Sequence, residues 1–490
     1  MRNWALFLWL AMLGACGPKE ELAGVDLRPG WAICCTVGGD GPRYGRLAYC
    51  RTFEVPVHHG SPGKTLTLNA TLFPATGRDT QPDPVFLLAG GPGQAATEAY
   101  GPLLAALTRT GSARDLILVD QRGTGRSAPL DCPAETTLAA MFRDEDILRA
   151  TRACLPELQD RDLDAFSTEA SARDLETIRT ELGLDAINLL GVSYGTRLAL
   201  AYARLFPDQT RSLVLDGVAP TSLKLPLSFA RDTENAWSTL VARCRNQSAC
   251  ANAFGDLDAT LERWLARLDN EPATITIADP KTGAPTTLTL SRALGAQLVR
   301  GLLYATDLHA LLPFTVHEAA QGNYAPLVAQ AALLGQYAQE SISTGLFLSV
   351  ICGEDVPAIE EAALVEEAQG TFLGPSLARQ ILAACELWPV KPRPVDRTES
   401  PLPIPTLAIS GGADPVTPPR WAETAVGAFP HHAHIVIPHA GHSNFARGCI
   451  PKLLGKFFAA PRDYVAAPDL SCAEEDPAAP FFIDPQGPPP

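Results

Sequence analysis

Short, predominantly apolar runs recur along the chain at Val85 to Ala89, Leu116 to Val119, Ile187 to Leu190, Ser212 to Leu215, Thr406 to Ile409 and Ile435 to Ile437. Runs without polar alternation suit strands covered on both faces, as in a parallel sheet flanked by helices. Helical patterns lie between them. Ser171 to Leu182 places Leu175, Ile178 and Leu182 on one stripe, with Gly183 just past the end, where a helix commonly stops. Tyr194 to Phe206 is closed by Pro207. Upstream, Arg51 to Val57 and Lys64 to Phe73 alternate apolar and polar residues around Gly60-Ser61-Pro62-Gly63, the pattern of an antiparallel hairpin. Together these elements predict an α/β fold with a mostly parallel central sheet flanked by helices.

The alternation stops between about Ser222 and Pro401. Helical patterns replace it, among them Leu257 to Leu268 and Ser291 to Tyr304, with a strand-like patch over Ala273 to Leu290 and a proline-rich linker from Pro389 to Pro405. The expected organisation is a leader over 1–15, an N-terminal extension over 16–44 and a first core segment over 45–221. A mostly helical inserted cap over 222–400, a second core segment over 401–475 and a Pro-rich tail over 476–490 follow. The segment after Pro461 is expected to wrap on the surface, pinned by Cys472. No internal repeat is present.

Composition narrows the function classes. The 490 residues are 46% hydrophobic and 19% charged, ample for a packed core, and the formal net charge is −15. Nucleic-acid binders concentrate positive charge to displace counterions, so the net charge argues against that class; an acidic surface is weakly compatible with a cationic substrate, and plain solubility is the commoner reason for one. At the N-terminus, Arg2 precedes an apolar run from Trp4 to Leu13, too short to span a bilayer but suited to a signal peptide. Leu13-Gly14-Ala15-Cys16 resembles the lipobox of bacterial lipoproteins, which implies lipid modification of Cys16 and export. Gly17 in place of an aspartate points to the outer membrane in a two-membrane bacterium. An ordinary cleaved signal is the other reading.

The chain has 12 cysteines, scattered, with no pair at C-x-x-C spacing and no zinc-like cluster. In an exported chain these read as disulfides. With Cys16 set aside, sequence-near pairings of the other eleven are Cys132 with Cys154, Cys244 with Cys250, Cys352 with Cys385, Cys449 with Cys472, and Cys50 with Cys34 or Cys35, leaving one cysteine over.

Gly191-Val192-Ser193-Tyr194-Gly195 sits between an apolar strand and a helix. This is the context of a nucleophile elbow, where small residues flank a tight turn that lifts the serine above the sheet. The helix that follows turns its N-terminal N–H groups toward the same point. An oxyanion hole needs two N–H donors. Tyr194, after the serine, supplies one, and Gly90-Gly91-Pro92-Gly93, after the run Val85 to Ala89, supplies the other through Gly91. A serine hydroxyl needs an imidazole to take its proton, and the imidazole a carboxylate to fix its tautomer. In the order Ser, Asp, His, Asp414 follows Thr406 to Ile409 and His442 follows Ile435 to Ile437. His439 and Asp216 are the competitors. Asp120-Gln121-Arg122-Gly123-Thr124-Gly125-Arg126-Ser127 reads as a structural loop in which Asp120 and Arg122 hold one another.

Taken together, Gly90 to Gly93, Asp120 to Ser127, Gly191 to Gly195, Gly412 to Asp414 and Gly441-His442 resemble the proline iminopeptidase and tripeptidyl aminopeptidase family of α/β-hydrolases, over about residues 45 to 475. The long cap and its cysteines look closer to the secreted tripeptidyl branch. Ala89 departs from the histidine that iminopeptidases carry before Gly-Gly-Pro-Gly. The resemblance implies an α/β-hydrolase fold and removal of residues from a free peptide N-terminus through an acyl-enzyme, with no metal or organic cofactor. It also implies acidic cap residues that hold the substrate ammonium, for which Glu354 and Asp355 in Val350-Ile351-Cys352-Gly353-Glu354-Asp355 are the candidates; two solvated carboxylates at a helix start are the plainer alternative. Expected partners are peptides with a free N-terminus, with membrane contact through the lipid anchor alone. An ester hydrolase with the same triad, or a binding protein on an inactive scaffold, are the competing functions.

Overall fold

The apolar runs form the centre of one sheet. A computed structural model describes residues 30–34, 47–61, 63–107, 113–133, 137–143, 146–279 and 282–488; the leader, Cys16 and Cys35 lie outside the described residues. The strands are β1 (Ala32–Ile33), β2 (Tyr49–Pro56), β3 (Thr65–Phe73), β4 (Val85–Leu88), β5 (Leu116–Val119), β6 (Ile187–Val192), β7 (Thr210–Asp216), β8 (Ala273–Ala278), β9 (Pro285–Leu290), β10 (Thr406–Gly411) and β11 (His432–Ile437). Nine of them make a sheet in the order β1-β2-β3-β5-β4-β6-β7-β10-β11. The pairs from β5 through β11 are parallel, and β1 to β3 join antiparallel at one side. β4, β5 and β10 are buried along their whole length. β11 alternates half-buried and buried residues because it is the last strand of the order, so only its final three residues show as an apolar run.

Successive side chains of a strand point to opposite faces, and the core divides accordingly. Phe86, Leu88, Leu189, Leu213 and Leu215 pack on one face with Leu175, Ile178, Leu198 and Tyr202. Val85, Leu87, Leu190 and Val214 pack on the other with Phe457 and Phe458. Each buried side chain of this size contributes ~1.5–3 kcal/mol over leaving it in water. The helix facing the first cluster runs Thr168–Glu181, starting where the Ser167 hydroxyl accepts a hydrogen bond from Ala170 N.

Between β7 and β10 the chain forms helices and the β8–β9 hairpin, with their own core around Trp237, Leu261, Trp264, Leu265 and Leu302. The C-terminal segment differs from expectation. Instead of only wrapping on the surface, it buries Phe481 in this second core, where Arg243 lies 4.1 Å over the ring, and Phe482 N donates to Ala310 O at 2.9 Å. Two adjacent aromatics in a proline-rich tail give no periodic signal, which is why the sequence hides this anchor.

Disulfides join Cys34–Cys50, Cys132–Cys154, Cys244–Cys250 and Cys352–Cys385, and Cys449 is also disulfide-bonded. Such bonds persist outside the reducing cytoplasm and fit an exported chain. No helix among the described residues is long and apolar enough to cross a membrane.

Candidate active site

Ser193, Gly90, Asp216, Asp414 and His442 all fall at or just beyond the C-terminal ends of β6, β4, β7, β10 and β11. Parallel strands therefore deliver them to one edge of the sheet, the edge where ligands bind in folds of this class.

Ser193 is the residue before helix Tyr194–Leu205 and has φ 56° and ψ −126°. A non-glycine residue there carries strain of ~1–3 kcal/mol, which persists only where the surroundings enforce it. They do so here. Side chains at Gly191 and Gly195 would collide with Gly195 O and Leu88 O, so strand and helix can cross this closely only with glycine at both places. Ser193 N donates to Asp216 O at 2.9 Å, and Thr196 N donates to Ser193 O at 2.9 Å.

His442 is held from two sides. Its backbone N donates to Tyr304 O at 3.0 Å, and the Tyr304 ring meets the imidazole edge-on at 5.3 Å. Its Nδ1 lies 2.7 Å from Asp414 Oδ2 and 3.1 Å from Thr417 Oγ1. Asp414 is 1% exposed, and its Oδ1 accepts from Val416 N at 2.9 Å and Thr417 N at 3.0 Å, while Oδ2 takes the Thr417 hydroxyl at 2.9 Å. A carboxylate can only accept, so the proton sits on Nδ1 and Nε2 is free to take another. Burial opposes ionisation of both partners, yet their attraction wins: Asp414 is held below the ordinary aspartate value and His442 above the ordinary histidine value. His442 also lies against Gly217, next to the Asp216 carbonyl that binds Ser193 N.

The competitors are engaged elsewhere. His439 Nε2 is 3.4 Å from Asp476. Asp216 is 0% exposed and accepts with Oδ2 from Asn444 N at 2.6 Å and Phe445 N at 2.7 Å.

The loop after β4 reaches the serine: a side chain on Gly90 would meet Ser193 Cβ at 2.9 Å. Gly93 O accepts from Ser343 N at 2.8 Å, tying the loop to the insert, and Gln121 Nε2 donates to Ala89 O at 3.0 Å. Gly91 sits in this loop, and Tyr194 N is in the first helical turn, where N–H groups have no partner within the helix.

Glu354 and Asp355 lie against the elbow helix, and they differ. Asp355 is 0% exposed, with Oδ2 2.8 Å from Arg197 Nη1 and Oδ1 3.3 Å from Arg397 Nη2. Glu354 is 6% exposed and binds Thr168, through N at 2.7 Å and Oγ1 at 2.6 Å, but among the described residues no cation lies within ion-pair distance of its carboxylate. Burial raises its pKa above the ordinary value. Thr168 Oγ1 is also 2.7 Å from Tyr194 Oη, so Glu354 reaches the elbow through Thr168. Neither carboxylate is solvated, contrary to the plainer alternative.

Asp120 and Arg122 do not hold one another. Asp120 binds Thr97 N and Oγ1 at 3.0 and 2.9 Å, whereas Arg122 forms a two-pronged pair with Asp174 at 2.6 and 2.7 Å. Asp174, on the helix before β6, was one of several acids there and carried no distinguishing signal. Arg197, Thr417, Tyr304 and Thr168 were also missed. Arg197 alone leaves a trace, as a cation one turn after Ser193 and directly before the run Leu198 to Ala203.

The model of the alpha/beta hydrolase fold family matches residues 83–448. The chain belongs to that family. As an α/β-hydrolase it is similar to serine protease Hip1 of Mycobacterium tuberculosis, 26% identical over 416 residues, covering 76% of this chain and 77% of that protein. It is also similar to the tripeptidyl aminopeptidase of Streptomyces lividans, 33% identical over 191 residues, covering 35% of this chain and 36% of that protein. Among solved structures, an esterase from Thermogutta terrifontis aligns over 84% of this chain and 99% of its own, with 16% identity and a TM-score of 0.38.

Proposed function

We propose that this α/β-hydrolase is an exported serine peptidase that releases residues from the free N-terminus of peptides through an acyl-enzyme. The observation that carries the reading is the Asp414–His442 pair at 2.7 Å, on the sheet edge that also presents the strained Ser193. In the proposed cycle His442 Nε2 takes the proton from Ser193 Oγ as the oxygen attacks the scissile carbonyl. The N–H groups of Gly91 and Tyr194 stabilise the resulting oxyanion; losing one such donor typically costs ~3 kcal/mol. His442 then protonates the departing amine, leaving the acyl group on Ser193. Water, deprotonated by the same imidazole, releases it.

The peptidase names of the relatives favour an amide substrate over an ester, and the free amine is assigned through the helical cap. Of the two adjacent acids, Asp355 has two arginines within ion-pair distance and its charge is already balanced. Glu354 has none, so an ammonium ion would supply the missing counter-charge, and Glu354 is the proposed amine-binding residue. Anchoring through a lipidated Cys16 completes the reading; incorporation of labelled palmitate into the wild type but not into Cys16→Ala tests it.

The deciding experiment is a panel of free and N-blocked mono-, di- and tripeptidyl amides beside simple esters, with Ser193→Ala as control. Turnover of free-amine peptides, lost on N-blocking and weakened in Glu354→Gln, is expected. Equal turnover of blocked and free substrates, or of esters alone, rejects the aminopeptidase reading in favour of an ester hydrolase.

A further inference from the structure

Asp216 touches both halves of the candidate machinery without belonging to the Ser193–His442–Asp414 set. Its backbone oxygen accepts from Ser193 N at 2.9 Å. Its Oδ2 accepts from Asn444 N at 2.6 Å and Phe445 N at 2.7 Å, two and three residues beyond His442. Ser443 between them has φ 70°, a conformation that non-glycine residues adopt only when held there. The turn that carries His442 is thus closed on one side by an acid at the end of β7, whose carbonyl also fixes the nucleophile. Asn444 adds a bond from Nδ2 to Gly441 O at 3.0 Å, so the turn is pinned before and after the imidazole.

The charge of Asp216 bears on the same site. It is fully buried, which raises its pKa to about 6, so it carries its charge at neutral pH and above; among the described residues no cation lies within ion-pair distance of it and its Oδ1 has no protein partner. The charged and titratable groups around the imidazole are Asp414 from the turn after β10, Asp216 from β7, and Arg300 and Tyr304 from helix Arg292–Tyr304. Asp414 and Asp216 favour the protonated imidazole, and Arg300 opposes it. Around Asp216 itself are His442, Asp414 and the buried Tyr100.

We propose that Asp216 is a positioning residue that locks the His442 turn to the nucleophile strand and brings a buried carboxylate to that turn. The proposal rests on the serine-hydrolase reading above. Asp414 fixes the tautomer of the imidazole; Asp216 fixes where the backbone beneath it lies.

The test uses the full chain and a fluorophosphonate probe, which reports Ser193 reactivity whatever the natural substrate. Asp216→Asn keeps an acceptor oxygen for the two N–H groups and removes the charge. Its labelling rate should fall ~10- to 100-fold at the plateau, because a neutral amide oxygen holds the two N–H groups more weakly than a carboxylate and lets the turn shift. The acid limb of its pH profile should move ~0.5–1 unit toward lower pH, because a nearby negative charge no longer supports the imidazolium. A purely structural role would lower the melting temperature and leave that limb in place, which overturns the assignment, as does a wild-type rate with an unshifted limb. If Asp216→Asn does not fold, Asp216→Ser carries the same expectation. In the wild type, the amides of Asn444 and Phe445 should exchange with solvent deuterium as slowly as those of β7; rapid exchange overturns the proposal without any variant. Failure of the probe to label wild-type Ser193 would reject the serine-hydrolase reading and this inference with it, an outcome distinct from a labelled wild type with an indifferent Asp216→Asn.

Discussion

Arg197 and Asp355 meet at 2.8 Å with side chains 3% and 1% exposed, joining the elbow helix to the inserted segment. Arg397 approaches the other Asp355 oxygen at 3.3 Å. The helix that follows Ser193 is therefore clamped from the insert by a charge pair out of contact with water. A buried pair adds little relative to well-packed apolar side chains, but removing one member strands the other charge and costs ~3–5 kcal/mol. Asp355→Ala should lose stability on that scale, read as a lowered denaturant midpoint. A midpoint unchanged from the wild type would show that the arginines find other partners.

The Asp414–His442 pair sets the pH dependence. The base must be neutral to accept a proton, and its folded pKa lies above the ordinary histidine value of ~6.5 because Asp414 opposes the burial that would lower it. Thus kcat should be level at alkaline pH and fall as pH drops through this raised pKa, while kcat/KM falls again as the substrate α-ammonium deprotonates above ~8. For stability the signs follow the same shifts. The His442 contribution is complete below ~6.5 and is lost as pH rises through its folded pKa. Asp414, whose folded pKa is depressed, contributes above ~3.9 and loses that contribution as pH falls through its lower folded value. Asp414→Asn should reduce kcat by ~10³–10⁴-fold by permitting the wrong tautomer. Stopped-assay kinetics across pH check both expectations.

Much of this arrangement was legible in the chain because parallel strands advertise themselves as predominantly apolar runs without polar alternation. Leu116 to Val119 is the strand to the residue, and the elbow, Asp414 and His442 each follow such a run. The strand ends blurred where burial did. His432 and His434 belong to β11, but the outer position of that strand lets polar residues alternate with apolar ones. The buried ion pairs were illegible for another reason. An arginine and an aspartate 158 residues apart in sequence leave no local pattern, so Asp355 read as a free acid and Arg122 as the partner of its near neighbour Asp120. Only the tertiary fold shows that Arg197 and Asp174 claim them.

Cys352–Cys385 joins the segment that carries Glu354 to helix Ser376–Leu387. Closing a loop of 33 residues restricts the unfolded chain and stabilises by ~3–4 kcal/mol on the chain-entropy account. Cys352→Ala with Cys385→Ala should lower the melting temperature. It should also raise KM for free-amine peptides more than it lowers kcat, since Glu354 would be loosened while Asp414 and His442 are held elsewhere. An equal change in both constants would count against a link between this disulfide and amine recognition.

Phe481 offers a test of the C-terminal anchor. Its ring is 1% exposed in the core of the insert, and Phe482 N adds a backbone bond to Ala310 O at 2.9 Å. Truncating a buried phenylalanine costs ~3–5 kcal/mol when its site cannot collapse. The ring lies at the end of a segment that leaves the sheet domain, so its loss should act on the insert first. Arg243, whose guanidinium stacks 4.1 Å over it, would gain water and lose much of the burial that now depresses its pKa to about 10. Phe481→Ala should increase deuterium uptake in helices Phe229–Arg245 and Leu312–Ala320 while leaving uptake in β4 through β7 unchanged. Uniform uptake across both regions would mean that sheet and insert unfold together, and that the tail secures the whole molecule rather than its cap.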